Sequence, residues 1–177
     1  MDFGMTEAVK LNIGCGNTVI DGYIGIDRKF GGEALPLRFN DGTPVPDACA
    51  EDIRVSHLLE HFTFGDAQKA MQEWTRVLKP GGRIRVSVPD VDKVIAGDPK
   101  HRLFHLMGGQ MHADDIHRSA YDKDRLTRLL MQNGIDELSE WVSPNTDCAA
   151  LPISLNLQGF KKGDATPQPV EQTETLK

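Results

Sequence analysis

Alternating apolar and polar residues mark the first strand of this chain. Val9, Leu11 and Ile13 are separated by the polar residues Lys10 and Asn12, which is the period of two expected for a strand with one buried face. Further short apolar segments predict strands at Tyr23–Ile26, Ala34–Phe39, Asp52–Ser56, Arg83–Val88, Glu137–Val142 and Ile153–Phe160. Pro36 restricts the predicted strand at Ala34–Phe39 to an edge or bulged position, because proline has no N–H to donate.

Helical periodicity appears between these predicted strands. One helix begins at a cap, Thr63 or Asp66, and ends before Pro80-Gly81-Gly82. A second is capped by Asp122 and ends at Gly134. The inward residues are Ala67, Ala70, Met71, Trp74, Val77 and Leu78 in the first helix and Leu126, Leu129 and Leu130 in the second. Strands that alternate with helices predict an α/β domain with a mostly parallel sheet.

A glycine turn, Gly14-Cys15-Gly16, directly follows the first strand. Two glycines one residue apart let the backbone turn tightly, at the edge where α/β sheets admit nucleotide-like ligands. The next strand ends at Asp27, whose carboxylate can accept hydrogen bonds from a ribose diol. Only ten residues separate Gly16 from Asp27. That is too few for a crossover helix and a strand, so the first helix is predicted to be reduced to a turn or two.

These two segments resemble the first two motifs of Rossmann-like methyltransferases that use S-adenosylmethionine. Leu78–Gly82, before the strand at Arg83–Val88, is similar to another hallmark of that superfamily. Ser56–Phe62 is similar to a segment of its small members that are often associated with glycan biosynthesis. The resemblance extends from Val9 to Lys161 and implies a three-layer sandwich. Its sheet would be mostly parallel and seven-stranded, with an antiparallel last strand and a reduced first helix.

The domain is therefore expected to comprise residues 1–162, and the polar composition of residues 163–177 predicts a disordered tail. The resemblance also implies S-adenosylmethionine as the cofactor and assigns a shell of residues around it. Asp27 would hold the ribose and Asp41 would face adenine, although Asn40-Asp41-Gly42 is also an ideal β-turn. The expected cofactor-binding residues are Gly14, Cys15, Gly16, Asp27, Arg28, Asp41, Ser56 and His57.

Methyl transfer to a hydroxyl or amine requires alignment with the sulfonium methyl and a group that removes the acceptor's proton. His112 and His117 lie in a long irregular segment, Val91–Tyr121, and imidazole titrates near neutrality. Asp90 follows a strand at the position where similar enzymes meet their acceptor. We therefore expect the catalytic residues among His117, Asp90 and His112, although a loop histidine can equally be a surface residue. The resemblance implies a small molecule or a sugar hydroxyl of a glycan precursor as acceptor.

An alternative interpretation is a zinc peptidase. His57–His61 matches the inverted H-x-x-E-H motif, in which two histidines bind zinc and the glutamate is the general base. Glu137 or Glu140 could then supply a third ligand. The motif requires both histidines on one helix, whereas His57 is predicted at the end of a strand, so we assign no metal.

Two further alternatives concern the glycine turn. A binding protein without catalysis would retain the same turn and Asp27. NAD is disfavoured because Val19 stands where G-x-G-x-x-G requires its third glycine.

Composition limits the kinds of partner and compartment that are expected for this protein. A length of 177 residues suits one domain, and a net charge of −6 argues against a nucleic-acid partner. Cys15, Cys49 and Cys148 show neither metal-site spacing nor a disulfide framework, which favours a cytoplasmic protein. Signal-peptide and transmembrane patterns are not found, so no membrane partner is expected. The short first crossover suggests that a homodimer completes the site.

Overall fold

The computed structural model describes residues 9–144 and 146–163. Its main sheet contains β1 (Val9–Ile13), β2 (Ile24–Ile26), β5 (Ala50–Ser56), β6 (Leu78–Pro89), β7 (Ile135–Glu140) and β8 (Ser154–Lys161). A separate two-stranded ribbon contains β3 (Glu33–Ala34) and β4 (Leu37–Arg38). Except for Gly163, the predicted disordered tail lies outside the described residues.

The main sheet has the order β2-β1-β5-β6-β8-β7. The pairs β1–β2, β1–β5 and β5–β6 are parallel, and β8 lies antiparallel between β6 and β7. This arrangement confirms the predicted α/β class, with a mostly parallel sheet and an antiparallel last strand. The chain makes turns between β1 and β2, and a 3₁₀ turn at Arg28–Phe30 follows β2. The first helix is reduced, as its short crossover predicted.

The number of strands differs from the prediction, because the main sheet has six strands rather than seven in the described part of the chain. The segment at Ala34–Phe39 does not join β2 but folds back on itself around Pro36 to form the ribbon. The side chain of Asn40 occupies the free edge of β2 instead. Its Nδ2 donates to the Gly25 carbonyl at 2.9 Å and its Oδ1 accepts from the Asp27 amide at 3.1 Å.

The described residues form four α-helices: α1 (Phe64–Val77), α2 (Val91–Ala96), α3 (Arg102–Met107) and α4 (Lys123–Gln132). Two predicted caps are confirmed: the side chain of Thr63 accepts from the Asp66 amide, and that of Asp122 accepts from the Arg125 amide. Among the described residues, the helices are too short or too polar to cross a bilayer.

One face of the sheet forms the hydrophobic core with α1 and α4. Trp74 of α1 is fully buried, and its indole N–H donates to the Ala34 carbonyl at 3.0 Å, which ties the ribbon to the helix. Along the strands the core residues alternate with outward ones, as the pleat requires. They include Leu11, Ile13, Ile53, Val55, Ile84, Val86, Leu155 and Leu157 from the sheet and Ala67, Ala70, Met71, Val77, Leu126 and Leu130 from the helices.

The opposite face carries a buried polar network in place of a long helix. Arg54 is only 1% exposed; it forms an ion pair with Asp147, and its guanidinium lies 5.5 Å from the ring centroid of Trp141. The 3₁₀ turn Cys148–Ala150 packs there, and the carbonyl of its middle residue, Ala149, accepts from Asn156 Nδ2 at 2.8 Å. The short crossover between β1 and β2 contributes turns rather than a helix to this arrangement.

Neutralising Asp147 is expected to destabilise the fold strongly. Asp147→Asn leaves the buried Arg54 charge without its partner, a change that typically costs about 3–5 kcal/mol. The double variant Arg54→Met/Asp147→Asn removes both charges and should recover most of that loss. Urea unfolding monitored by circular dichroism measures both free energies. The matched control is Asp124→Asn, which breaks the exposed pair with Arg128 and should cost less than about 1 kcal/mol. Equal losses for Asp147→Asn and Asp124→Asn would contradict the assignment.

Candidate functional site

A cleft of about 840 Å³ opens at the carboxyl ends of β1, β2 and β5. Its volume lies within the range of small-molecule sites, roughly 300–1,000 Å³. Parallel α/β sheets admit ligands at this edge. Its walls consist of Gly14, Ile26, Asp27, Arg28, Lys29, Glu33, Ala34, Leu35, His57, Leu58, His61, Phe62, Ala113, Asp114, Ile116 and Arg118.

The glycine turn forms one end of this cleft. The amides of Gly14 and Cys15 donate to the Ile26 carbonyl at 2.8 and 3.2 Å. The amide of Gly16 donates to Asp27 Oδ2 at 2.8 Å. All three N–H groups therefore have partners within the protein, so the turn fixes β2 and Asp27 and does not present free donors.

Only Gly14 of the turn lines the cleft. Its φ is +66°, and a Cβ at this position would lie 2.7 Å from Leu58 Cδ2. Cys15 and Gly16 line a separate cavity of about 250 Å³. Burial, and then the negative charge of Asp27, raise the pKa of the Cys15 thiol, which keeps it neutral near pH 7. Cys15 and Gly16, both predicted to bind the cofactor, therefore line the neighbouring cavity rather than the cleft.

Asp27 is held within the cleft by two backbone amides. Its Oδ2 accepts from Gly16, as described, and its Oδ1 accepts from the Lys29 amide at 2.9 Å. A carboxylate offers about four acceptor positions, so Asp27 retains capacity for a diol. Arg28 also lines the cleft, and its Nη1 donates to Asp114 Oδ1 at 3.0 Å. This exposed ion pair joins the loop after β2 to the segment at residues 113–118.

Asp41, which was predicted to face adenine, is not among the residues that line the cleft. Its Oδ1 accepts from both the amide and the hydroxyl of Thr43, at 3.0 and 2.6 Å, and the hydroxyl hydrogen bond is the main cause that lowers the pKa of this exposed carboxyl. The β-turn alternative describes Asp41 better. The ribbon places Glu33, Ala34 and Leu35 in the cleft wall instead. Sequence reasoning missed them because it placed this segment in the main sheet.

His57 lines the cleft, whereas Ser56 does not. The φ of His57 is +49°, so the strand ends there rather than continuing into a helix. Its Nε2 is 2.8 Å from Ser154 Oγ, and its Nδ1 is 3.3 Å from Glu60 Oε1. His61 follows in the 3₁₀ turn Leu59–His61.

The zinc-peptidase alternative fails on this geometry. His57 and His61 do not share a helix, and neither of the proposed third ligands, both on β7, lines the cleft. One of these, Glu140, pairs with Lys123 at 2.6 Å.

The three predicted catalytic residues do not line the cleft. Asp90 caps α2, where its side chain accepts from the Asp92 amide at 3.0 Å. His112 is exposed at the start of a 3₁₀ turn. His117 is half-buried, and burial lowers its pKa. The ring of His117 stands edge-on to that of His61, with 4.9 Å between centroids. His117 is therefore adjacent to the cleft wall, whereas Asp90 has a structural role.

Residues 113–118 form another part of the wall, within the long irregular segment in which the sequence analysis placed His112 and His117. This segment is fixed to the 3₁₀ turn before α1, because the amides of Arg118 and Ser119 both donate to the Glu60 carbonyl, at 2.8 and 3.1 Å. Its length and irregular composition were the available signal, since long insertions between a strand and a helix are usually functional. The positions of the side chains in residues 113–118 depend on this long-range contact with Glu60.

Comparison with known proteins places this geometry among methyltransferases. A family model described as a methyltransferase domain matches residues 28–86, one third of the chain. No curated protein matches the chain.

Solved structures show the same fold. A SAM-dependent methyltransferase from Thermotoga maritima is 17% identical, with 88% of this chain and 83% of that one covered and a TM-score of 0.58. One from Archaeoglobus fulgidus is 14% identical, with 89% and 87% covered and a TM-score of 0.58. The 1,6-didemethyltoxoflavin-N1-methyltransferase of Burkholderia thailandensis, solved with S-adenosylhomocysteine, is 18% identical, with 88% and 71% covered and a TM-score of 0.56. The fold is thus shared with Rossmann-like methyltransferases, and the family match covers one third of the chain.

The two glycines of the turn should differ in their tolerance of a side chain. Both have positive φ, which costs an alanine about 1–2 kcal/mol. The added Cβ meets Leu58 only at Gly14 and finds open space at Gly16. We expect Gly14→Ala to lower the free energy of unfolding by at least about 2 kcal/mol and Gly16→Ala by about 1 kcal/mol. Urea denaturation measures both values. Similar losses at the two positions would show that the contact with Leu58 does not shape the cleft.

Proposed function

We propose that this protein is an S-adenosylmethionine-dependent methyltransferase whose acceptor is a small molecule or a sugar hydroxyl. The observation that carries this proposal is Asp27, a carboxylate fixed by two backbone amides inside a cleft at the carboxyl ends of parallel strands. The family match and the neighbour solved with S-adenosylhomocysteine indicate S-adenosylmethionine as the cofactor. The hydroxyl acceptor is inferred from the resemblance of Ser56–Phe62 to small methyltransferases associated with glycans.

The residues present fit such a cofactor. Asp27 can accept hydrogen bonds from the ribose diol with its remaining lone pairs. Gly14 lines the cleft, and the absence of a Cβ leaves room for the Leu58 side chain beside it. Glu33 and Leu35, in the ribbon, replace Asp41 as the candidates for contact with the adenine. A side chain at Gly14 would already overlap Leu58, so the wall at this point has no spare room.

The cofactor supplies an activated methyl on a sulfonium, so the protein's main task is to hold the acceptor in line with it. A hydroxyl acceptor also needs a base. His57 replaces His117, Asp90 and His112 as the candidate, since its imidazole lies in the cleft wall.

Charge on the cleft wall supports a small acceptor. Cationic side chains at Arg28, Lys29 and Arg118 are offset by carboxylates at Asp27, Glu33 and Asp114. A mixed wall on a protein with a net charge of −6 lacks the continuous positive surface that a nucleic acid requires. We accordingly propose a small-molecule or glycan partner, in the cytoplasm, with no nucleic acid or membrane partner and with a homodimer as the assembly to examine.

Calorimetric titration with S-adenosylhomocysteine tests the cofactor site. We expect micromolar binding by the wild-type protein and a loss of at least about 10-fold in Asp27→Asn, since a hydrogen bond to a charged group contributes about 1.5–3 kcal/mol. Asp41→Asn is the matched control: it neutralises an aspartate outside the cleft and should retain wild-type affinity. Thermal unfolding of both variants checks that the fold persists.

No binding by the wild-type protein, or equal losses in the two variants, would contradict the proposal. Turnover is then measured with labelled S-adenosylmethionine and a panel of glycosides and small alcohols. Binding without transfer to any acceptor would favour the alternative of a non-catalytic binding protein.

A further inference from the structure

Three metal-binding side chains meet behind the cleft wall. One ligand atom from each of Glu60, His61 and His117 lies within 4.8 Å of the other two. Hydrogen bonds fix the backbone positions of all three residues. Glu60 and His61 belong to one 3₁₀ turn. The amide of Arg118, the residue after His117, donates to the Glu60 carbonyl at 2.8 Å. The amide of His117 itself donates to the Met107 carbonyl at 3.1 Å.

The polar atoms of this cluster lack the partners that burial requires. Glu60 is only 1% exposed, and neither of its carboxylate oxygens accepts a hydrogen bond within the described part of the chain. His61 Nδ1 is likewise buried without a hydrogen-bond partner among those residues. His57 Nδ1 lies 3.3 Å from Glu60 Oε1 but outside hydrogen-bond geometry. A buried polar group without a partner is costly, which points to a missing ligand.

The tautomer of His117 also suits a metal. Its Nδ1 is 3.0 Å from the His105 carbonyl. A carbonyl can only accept, so Nδ1 carries the proton and, in the neutral ring, Nε2 keeps its lone pair. Metal-binding histidines almost always donate their second N–H to a carbonyl or carboxylate in this way.

We propose that Glu60, His61 and His117 bind a divalent transition-metal ion, with Zn²⁺ as the best match. Two imidazoles and a carboxylate are ligands that Zn²⁺ prefers, and three protein ligands leave a fourth position open. This site differs from the zinc-peptidase alternative, because Glu60 is a ligand rather than a base and His57 is not a ligand. It also revises the sequence-based assignment, which included no metal.

The open position is adjacent to the cleft, because His61 contributes to both the cluster and the cleft wall. A hydroxyl bound there would have a lowered pKa, since a metal ion stabilises the deprotonated oxygen. This role in activation of an acceptor rests on the proposed methyltransferase function. Metal binding itself does not, and it can be tested alone.

The test uses the full-length protein without a polyhistidine tag, stripped of metal with a chelator and titrated separately with Zn²⁺ and Co²⁺. We expect each chain to bind one ion. Bound Co²⁺ should show the visible d–d absorption of an ion with a low coordination number, and Zn²⁺ should raise the melting temperature of the protein. His117→Ala and Glu60→Gln should each weaken binding by at least about 100-fold, since even the loss of an outer-shell partner costs about 10–100-fold.

Two variants serve as controls. His112→Ala removes an exposed histidine from the same segment and should leave Zn²⁺ affinity unchanged. His57→Ala should retain binding here, whereas a zinc-peptidase arrangement would lose it. Zn²⁺ binding that survives in His117→Ala and Glu60→Gln, or a wild-type protein that binds no ion, would overturn the proposal.

Titration of the same metal-free samples with S-adenosylhomocysteine separates the two proposals. Zn²⁺ binding without S-adenosylhomocysteine binding would retain the metal site and remove the proposed function. The reverse result would remove the metal site alone.

Discussion

The hydrogen bonds that the amides of Gly16 and Lys29 donate to the Asp27 carboxylate hold the cleft together. The bond from Gly16 joins the end of β1 to the end of β2, although no helix connects the two strands, and the bond from Lys29 caps the 3₁₀ turn after β2. Asn40 reinforces the same point, since its side chain bonds both Gly25 and the Asp27 amide along the free edge of β2. In this chain, side chains and turns therefore position the ends of β1 and β2, whereas the fold commonly uses a crossover helix for this purpose.

The far side of the sheet carries the buried polar network. Polar side chains are buried on this face, and ion pairs hold several of them. Asp52 bonds both Arg83 and Arg85, and Arg54 pairs with Asp147. Removal of one member of such a buried pair is costly because it leaves a charge without solvation. The polar face is therefore part of the fold's stability.

The segment at residues 113–118 connects the cleft with the proposed metal site. At the start of the segment, Asp114 forms an ion pair with Arg28 in the loop after β2. At its end, the amide of Arg118 donates a hydrogen bond to the Glu60 carbonyl. His117 points into the protein at that end, beside His61. A metal ion there would tie the segment to the start of α1, and the same segment would close one side of the cofactor cleft.

Short-range patterns in the sequence were sufficient for much of the fold. Alternation at Val9–Ile13, the glycine turn, the end of a strand at Asp27 and the caps at Thr63 and Asp122 involve residues a few positions apart, where backbone sterics and local hydrogen bonds decide the conformation. The class of fold and the position of the cleft followed from them.

Tertiary structure decided the composition of the cleft wall. The ribbon around Pro36 places Glu33 in the cleft wall, which does not include Asp41. The side chain of Asn40 occupies the edge that a seventh strand would have used. The sequence alone predicted that a cleft for a nucleotide-like ligand follows β1. It could not determine that His117 meets His61 and Glu60 while Asp90 caps α2, because these contacts depend on the packing of segments that are far apart in the chain.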